Sequence, residues 1–288
     1  MNRRSALLAM LALPFGSTRT PSSNRQDWIP LFNGKDLAGW DTWLGKPHRL
    51  IEVPGLVRNE QGDYTSPVGL NSDPKHVFTV VRVDGGTAIR VSGEIYGGVI
   101  TTESYENYHL RFEFKWGEKR WPPREQAVRD TGCCYHSIGP HDASYGFWMK
   151  SFEFQIQEGD CGDFYSLAGV IVDAQAVVRE TTNPKSDLVF VRGAPRVVGT
   201  TRRIIKAADA EKPRGEWNTL ELYCLGQSSV HVVNGRTNMV LTGLRHLMDG
   251  REAPLTKGRI QFQSEAAEVF YRNIAIRPIR EIPAAVLG

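Results

Sequence analysis

Apolar and polar side chains alternate with a period of two along most of this chain, and no long segment shows the 3.6-residue period of an amphipathic helix. In HLRFEFKWG, Leu110, Phe112, Phe114 and Trp116 fall on one face, while His109, Arg111, Glu113 and Lys115 fall on the other. SFEFQIQ sets Phe152, Phe154 and Ile156 against Glu153, Gln155 and Gln157. GRIQFQSE sends Ile260 and Phe262 inward and Gln261, Gln263 and Glu265 outward. TLELYCLG and SSVHVVNGR read as a hairpin pair lined by Leu220, Leu222 and Cys224, with Asn234-Gly235 supplying the positive φ of a tight turn. A chain patterned in this way is all-β. Its many aromatic-rich inner faces predict a two-sheet sandwich of jelly-roll size with long loops. There is no internal repeat.

The N-terminal MNRRSALLAMLALPFG places two arginines before a short apolar run from Ala6 to Phe15. Residues 1–20 are therefore expected to be a signal peptide, with Arg3-Arg4 resembling a twin-arginine signal, and the protein to be periplasmic or secreted. A single domain is expected over 27–282. No later stretch is apolar for long enough to span a membrane. The formal charge of +3 vanishes once Arg3, Arg4 and Arg19 are set aside, so charge gives no reason to expect nucleic acid as a partner. The four cysteines lack zinc-site spacing. Cys161 is placed to form a disulfide with Cys133 or Cys134 after export, and Cys224 reads as a buried thiol. Two long basic stretches, GEKRWPPREQAVRD and the segment from Asn183 to Trp217, read as connecting loops of the kind that shape a cleft.

Three strands thus carry a face that joins Glu to Gln or Lys. Solvated strand faces are richer in Thr, Ser and Lys, whereas amides and carboxylates near the aromatic residues Tyr145, Phe147 and Trp148 suit a sugar. Hydroxyls take bidentate donors and acceptors, and the C–H face of a pyranose takes an aromatic plate. An oligosaccharide or glycoside is the expected partner, in a cleft shared by Lys115, Glu153, Glu265, His136 and Trp148. Glu153, Gln155 and Glu158 also have the E-x-[DQ]-x-x-E spacing of laminarinase-like retaining glycosidases, with Gln in the central place; Glu158 needs a bulge to join Glu153. His136 alternates with Cys134 and Ile138 between glycines and is read as functional or as a satisfied structural histidine. Glu158, Asp160 and Asp163 in EGDCGDF offer hard oxygen ligands for a divalent cation such as calcium, the plain alternative being an acidic surface turn.

PLFNGKDLAGW, residues 30–40, resembles the N-terminal signature of the 3-keto-disaccharide hydrolase domain family. It is followed in family order by GGVITTESYENYHLRFEFKW, DTGCCYHSIG, SFEFQIQEGDCGDF, GEWNTLELYCLGQSSVHVVNG and KGRIQFQSEAAEVFYRNIAI, so that the resemblance spans about 28–280. It implies a concanavalin A-like jelly roll and cleavage of glycosides already oxidised at C3. A C3 ketone acidifies the C2 hydrogen; a base removes it, the C1 substituent leaves by elimination, and water adds back. Such a site needs a base, an electrophile for the enolate oxygen and an acid; a divalent metal ion would meet the second need. Glu153 and His136 are expected as base or metal ligand and Glu265 as acid or second carboxylate. Lys115, Gln155 and Gln263 are expected to anchor substrate, and Trp148 to be the stacking plate. The vicinal Cys133-Cys134 and the long loop from Pro184 to Pro213 depart from the commonest family pattern. A non-catalytic carbohydrate-binding module is the alternative class.

Overall fold

The computed structural model describes residues 27–179 and 187–287, and the expected leader lies outside them. Two sheets face each other. The front sheet runs, neighbour to neighbour, through Gly69–Leu70, Trp40–Leu44, Gly97–Thr101, Arg259–Ser264, Gly132–Ile138, Lys150–Gln155 and Phe164–Leu167. The back sheet runs through Phe78–Val83, Gly86–Val91, Ala267–Pro278, Tyr108–Arg120, Asn218–Leu225, Ser228–Val233, Arg236–Met248 and Ile171–Val178. All these pairings are antiparallel, and the architecture is a concanavalin-like jelly-roll sandwich.

Phe112, Phe114, Phe152, Phe154, Ile260 and Phe262, the side chains predicted to point inward, are all fully buried in one cluster. Rings from the two sheets interdigitate: Phe262 of the front sheet meets Phe112 of the back at 4.9 Å, edge to face, and stacks on Tyr271 at 4.5 Å. Trp40 closes one end of this core, its indole N–H donating to the Leu31 carbonyl at 2.8 Å. The expected strand pair forms, and Asn234-Gly235, with φ of 48° and 79°, makes the tight turn that joins its second strand to Arg236–Met248.

The described part of the expected long loop, residues 187–213, is more than a connection. Leu188–Phe190, Arg196–Thr200 and Ile204–Ile205 form strands that pair with Phe164–Leu167 and Ile171–Val178 and tie the two sheets together along one side. The expected disulfide is absent: Cys133, Cys134, Cys161 and Cys224 are free and buried. Adjacent residues of a strand point to opposite faces, so Cys133 enters the core while Cys134 packs with Trp148 and Leu167 on the outer face. Burial pushes all four thiols up, which keeps them protonated and unreactive. Among the described residues no helix is long and apolar enough to cross a membrane.

Candidate active site

The outer face of the front sheet carries a cleft of about 510 Å³, and the strand SFEFQ runs along its floor. Glu153 and Gln155 project into it from Lys150–Gln155, Gln263 comes from Arg259–Ser264, and Glu265 from the residue after that strand. Register brings them together. Glu153 lies opposite Cys134 and Gln155 opposite Gly132, with Arg259–Ser264 the next strand over. Gly132 is what lets the side chains meet, since a Cβ there would lie 2.3 Å from a Glu153 carboxylate oxygen and 2.6 Å from the Gln263 amide oxygen. That glycine is a local requirement of the site rather than of the fold.

The loop after Arg120 forms the opposite bank, through a residue pair that the strand pattern does not reveal. Arg124 donates to Asp130 at 2.8 Å and to Glu265 at 2.9 Å. Asp130 and Glu153 are buried and Glu265 is partly buried, and among the described residues Arg124 is the one cation paired with any of them. One guanidinium cannot offset three carboxylates in a dry site, so the cluster retains protons. Burial and the neighbouring Asp130 push Glu153 up to about 8, a hydrogen bond with Gln263 opposing. Burial pushes Asp130 up to about 6 against the pull of Arg124. Glu265 is also raised, by burial and by Asp130 and Glu153, with Arg124 opposing. At neutral pH the cluster therefore contains a protonated Glu153, which has no cation beside it, and an ionised Asp130, which does.

Two polar atoms here have no partner among the described residues: one Asp130 carboxylate oxygen and the Gln263 amide oxygen are buried and unpaired. Buried groups are rarely left so, and acceptors of this kind suit the hydroxyls of a ligand. The far wall is aromatic. Trp148 stacks with Tyr96 at 6.1 Å and donates its indole N–H to the Gly97 carbonyl at 2.9 Å. At 5% exposure Trp148 is a wall rather than an open plate; Tyr145, 79% exposed and edge-on to it at 6.1 Å, is the accessible ring. Tyr165, opposite Glu153 on the next strand, and Gln157 complete the lining.

Glu153, Gln155, Gln263, Glu265 and Trp148 therefore share one cleft, as expected from the sequence, while two other expected members lie elsewhere. Lys115 belongs to the back sheet, where it pairs with Asp84 and lies 5.3 Å from the Trp217 ring centre. The outer face of that sheet is the opposite side of the molecule. His136 is turned inward, because a bulge with φ of 50° interrupts the alternation between Tyr135 and Ile138. Its backbone packs so closely on Gly258 that a Cβ there would lie 2.3 Å from the His136 carbonyl carbon. The imidazole sits among Tyr108, Tyr135 and Phe152 in the core, held at 3.1 Å by the Leu255 carbonyl and pushed down to about 4 by burial. It is a neutral histidine of the core, outside the lining of the cleft.

The acidic turn does not fit a divalent cation. Glu158 accepts from the Arg129 backbone N–H at 2.9 Å and pairs with its guanidinium at 3.0 Å; Asp163 takes Arg203 and the Lys206 N–H; Asp160 takes Arg203 at 2.8 Å. These carboxylates are already neutralised by protein cations. Among the described residues no group of three or more His, Cys, Asp or Glu is arranged to hold a metal ion. Nor does Glu158 join Glu153: the strand ends at Gln155, and Glu158 lines a separate hollow beside Trp116. The laminarinase-like pair of carboxylates is not assembled.

A β-sandwich with a cleft of buried carboxyls, amides and aromatic walls on one sheet is the architecture of a carbohydrate-active protein. The family model described as 3-keto-alpha-glucoside-1,2-lyase-like domain matches residues 27–277, and the chain belongs to that family. Among solved structures it is similar to a provisionally named glycosyl hydrolase from Parabacteroides distasonis, at 18% identity over 88% of this chain and 100% of that one, with a TM-score of 0.46. A carbohydrate-binding module from Bacillus subtilis matches at 9% identity over 69% of this chain and 91% of that one, TM-score 0.40. A β-glucanase from Bacillus licheniformis matches at 10% identity over 88% and 98%, TM-score 0.39. No curated protein sequence matches the chain.

Proposed function

We propose that the protein cleaves glycosides already oxidised at C3, by eliminating the C1 substituent and then hydrating the product. The carrying observation is the cluster of three carboxyls in which one guanidinium serves Asp130 and Glu265 and none serves Glu153, so that an ionised carboxylate and a protonated one line the same cleft. Acid and base of this kind, set apart by their surroundings, are what elimination next to a ketone needs. Asp130, through its unpaired oxygen, takes the C2 proton, and the electron pair moves onto the C3 oxygen as an enolate. Arg124 uses two of its N–H groups on Asp130 and Glu265 and has others left to stabilise that oxygen. The enolate then re-forms the C3 carbonyl, a C1–C2 double bond appears, and the C1–O bond breaks. Glu153 gives its proton to the departing oxygen. In the second half water adds at C1 of the enone and C2 is reprotonated, so the net change is hydrolysis.

This assignment moves the base from Glu153 to Asp130 and makes Glu153 the acid. Glu265 holds Arg124 in place, while Gln155, Gln157 and Gln263 bind hydroxyls. The test is incubation of the purified protein with methyl 3-keto-glucoside in D₂O, following methanol release and deuterium at C2. Release with C2 deuteration supports the reading. Release without exchange indicates direct displacement, and saturable binding without release makes the protein a sugar-binding module.

A further inference from the structure

A second hollow of about 590 Å³ adjoins the cleft and shares Tyr96, Pro123 and Phe147 with it. Its walls are rings, the shared Tyr96 and Phe147 together with Pro47, Pro122 and Tyr64. Phe147 is wedged against the chain, since a Cβ on Gly45 would lie 2.5 Å from its ring, and Tyr96 meets it edge-on at 5.1 Å. These walls are fixed rather than adaptable. Tyr64 is a buried part of the wall, its hydroxyl held by the Val53 N–H, the Ile51 carbonyl and Arg58 and its ring covered by the Arg58 guanidinium at 4.2 Å, so the accessible rings are Tyr96 and Phe147. At the rim Glu94 is neutralised by Lys75 at 3.0 Å, while the exposed ammonium of Lys46 and guanidinium of Arg49 make no ion pair among the described residues. Asp63 is the other acidic group there, leaving the rim with one positive charge in excess.

We infer that this hollow receives the leaving group, and that the group is a ring bearing an anion, such as a phenolic acid or a uronate. The inference rests on the proposed elimination chemistry and deepens it. The pose this requires sets the sugar over Glu153 and Gln263 with its C1 substituent directed at Tyr96, Pro123 and Phe147, which line both hollows. A rigid, ring-lined slot takes the flat face of a ring, and two cations without partners at its mouth select a carboxylate over a neutral or basic group. A hollow of this size also exceeds what a methyl substituent would fill. The substrate class that follows is a small glycoside of an acidic aglycone, oxidised at C3 of the sugar by a prior dehydrogenation.

The experiment measures kcat/KM for the methyl, phenyl and 4-carboxyphenyl 3-keto-glucosides and for a 3-keto-disaccharide whose leaving sugar is glucuronate. Wild type is compared with Lys46→Ala/Arg49→Ala and with His48→Trp, which fills the hollow. Comparing each substrate across variants cancels the intrinsic leaving ability of its aglycone. The double variant is expected to lose about tenfold on the two acidic substrates, the size of two exposed ion pairs, and under twofold on the methyl and phenyl compounds. His48→Trp should lose all three ring-bearing substrates while keeping the methyl glycoside, which also shows that it folds. The larger loss between the two acidic substrates identifies the phenolic acid or the uronate as the source. Equal losses on all four substrates, or none, overturn the inference. Failure of wild type to turn over even the methyl compound overturns instead the elimination chemistry on which it rests.

Discussion

The outer faces of the two sheets look alike in sequence and differ in how their charges are matched. On the back sheet Glu113 pairs with Arg272 at 2.6 Å, Lys115 with Asp84, and His109 with Glu221 at 2.7 Å; Trp217 is covered by Arg272 at 3.8 Å. On the front sheet Asp130 and Glu265 share Arg124 while Glu153 has no ion pair among the described residues, and amide and carboxylate oxygens lie buried there without partners among those residues. Charges matched in this way belong to a scaffold. A surplus of buried acid costs stability and is kept where it holds a proton for chemistry.

The largest effect that would break this comparison comes from Glu153→Gln. It keeps the shape of the protonated acid but has no proton to give, so aglycone release should fall by about 10²–10⁴ with little change in melting temperature. Turnover at the wild-type rate would make the front face as inert as the back. The same variant has a pH signature. Glu153 has an ordinary value of 4.5 and is pushed up to about 8 on folding, so the folded chain binds a proton that the unfolded chain has released. Its contribution to stability is present below about 4.5 and is lost as pH rises through about 8. Denaturant midpoints followed from pH 5 to 8 should therefore decline in wild type and decline less steeply in the variant, where Asp130 and Glu265 still titrate. Activity should rise as Asp130 ionises near 6 and fall as Glu153 does near 8.

Phe154→Ala, one residue away but on the inner face, should cost about 3–5 kcal/mol in chemical denaturation. If Glu153→Gln cost as much, the inward and outward faces would be misassigned. Arg124→Ala removes the cation that holds Asp130 down, and the acid limb of the pH–rate profile should move up by about 1–3 units. A purely structural arginine would lower the rate and leave that limb in place. His136→Ala should lower stability by about 0.5–3 kcal/mol while turnover per folded molecule stays the same, as fits an imidazole inside the core. Smallest of all, Lys115→Ala on the back face should cost at most about 0.2–1 kcal/mol and leave activity alone.

What could be read from sequence was whatever depends on a period of two. The faces of 110–116, 152–156 and 260–262 were fixed by alternation alone, because a strand that buries one side has no other register. Glu153, Gln155, Gln263 and Glu265 followed from the same rule. The signal for Arg124 and Asp130 was fainter: two charges of opposite sign in a proline-containing loop, whose meeting depends on how that loop folds back. At His136 the rule failed, since one residue with positive φ reverses direction and nothing in TGCCYHSIG announces it.

Alternation says that a face is polar but not which sheet it belongs to, so Lys115 and Glu153 were indistinguishable until the strands were paired. Pairing is set by contacts between residues far apart in the chain, such as Phe112 with Phe262 across the core and Glu153 beside Gly132 on the surface. The sequence by itself determined an all-β chain, its buried aromatic faces and a family signature. Only the tertiary structure decided which carboxyls meet, and how many cations they share. A carboxyl's proton affinity depends on burial and on neighbours a few ångströms away, and neither distance nor burial is carried by any local stretch of residues.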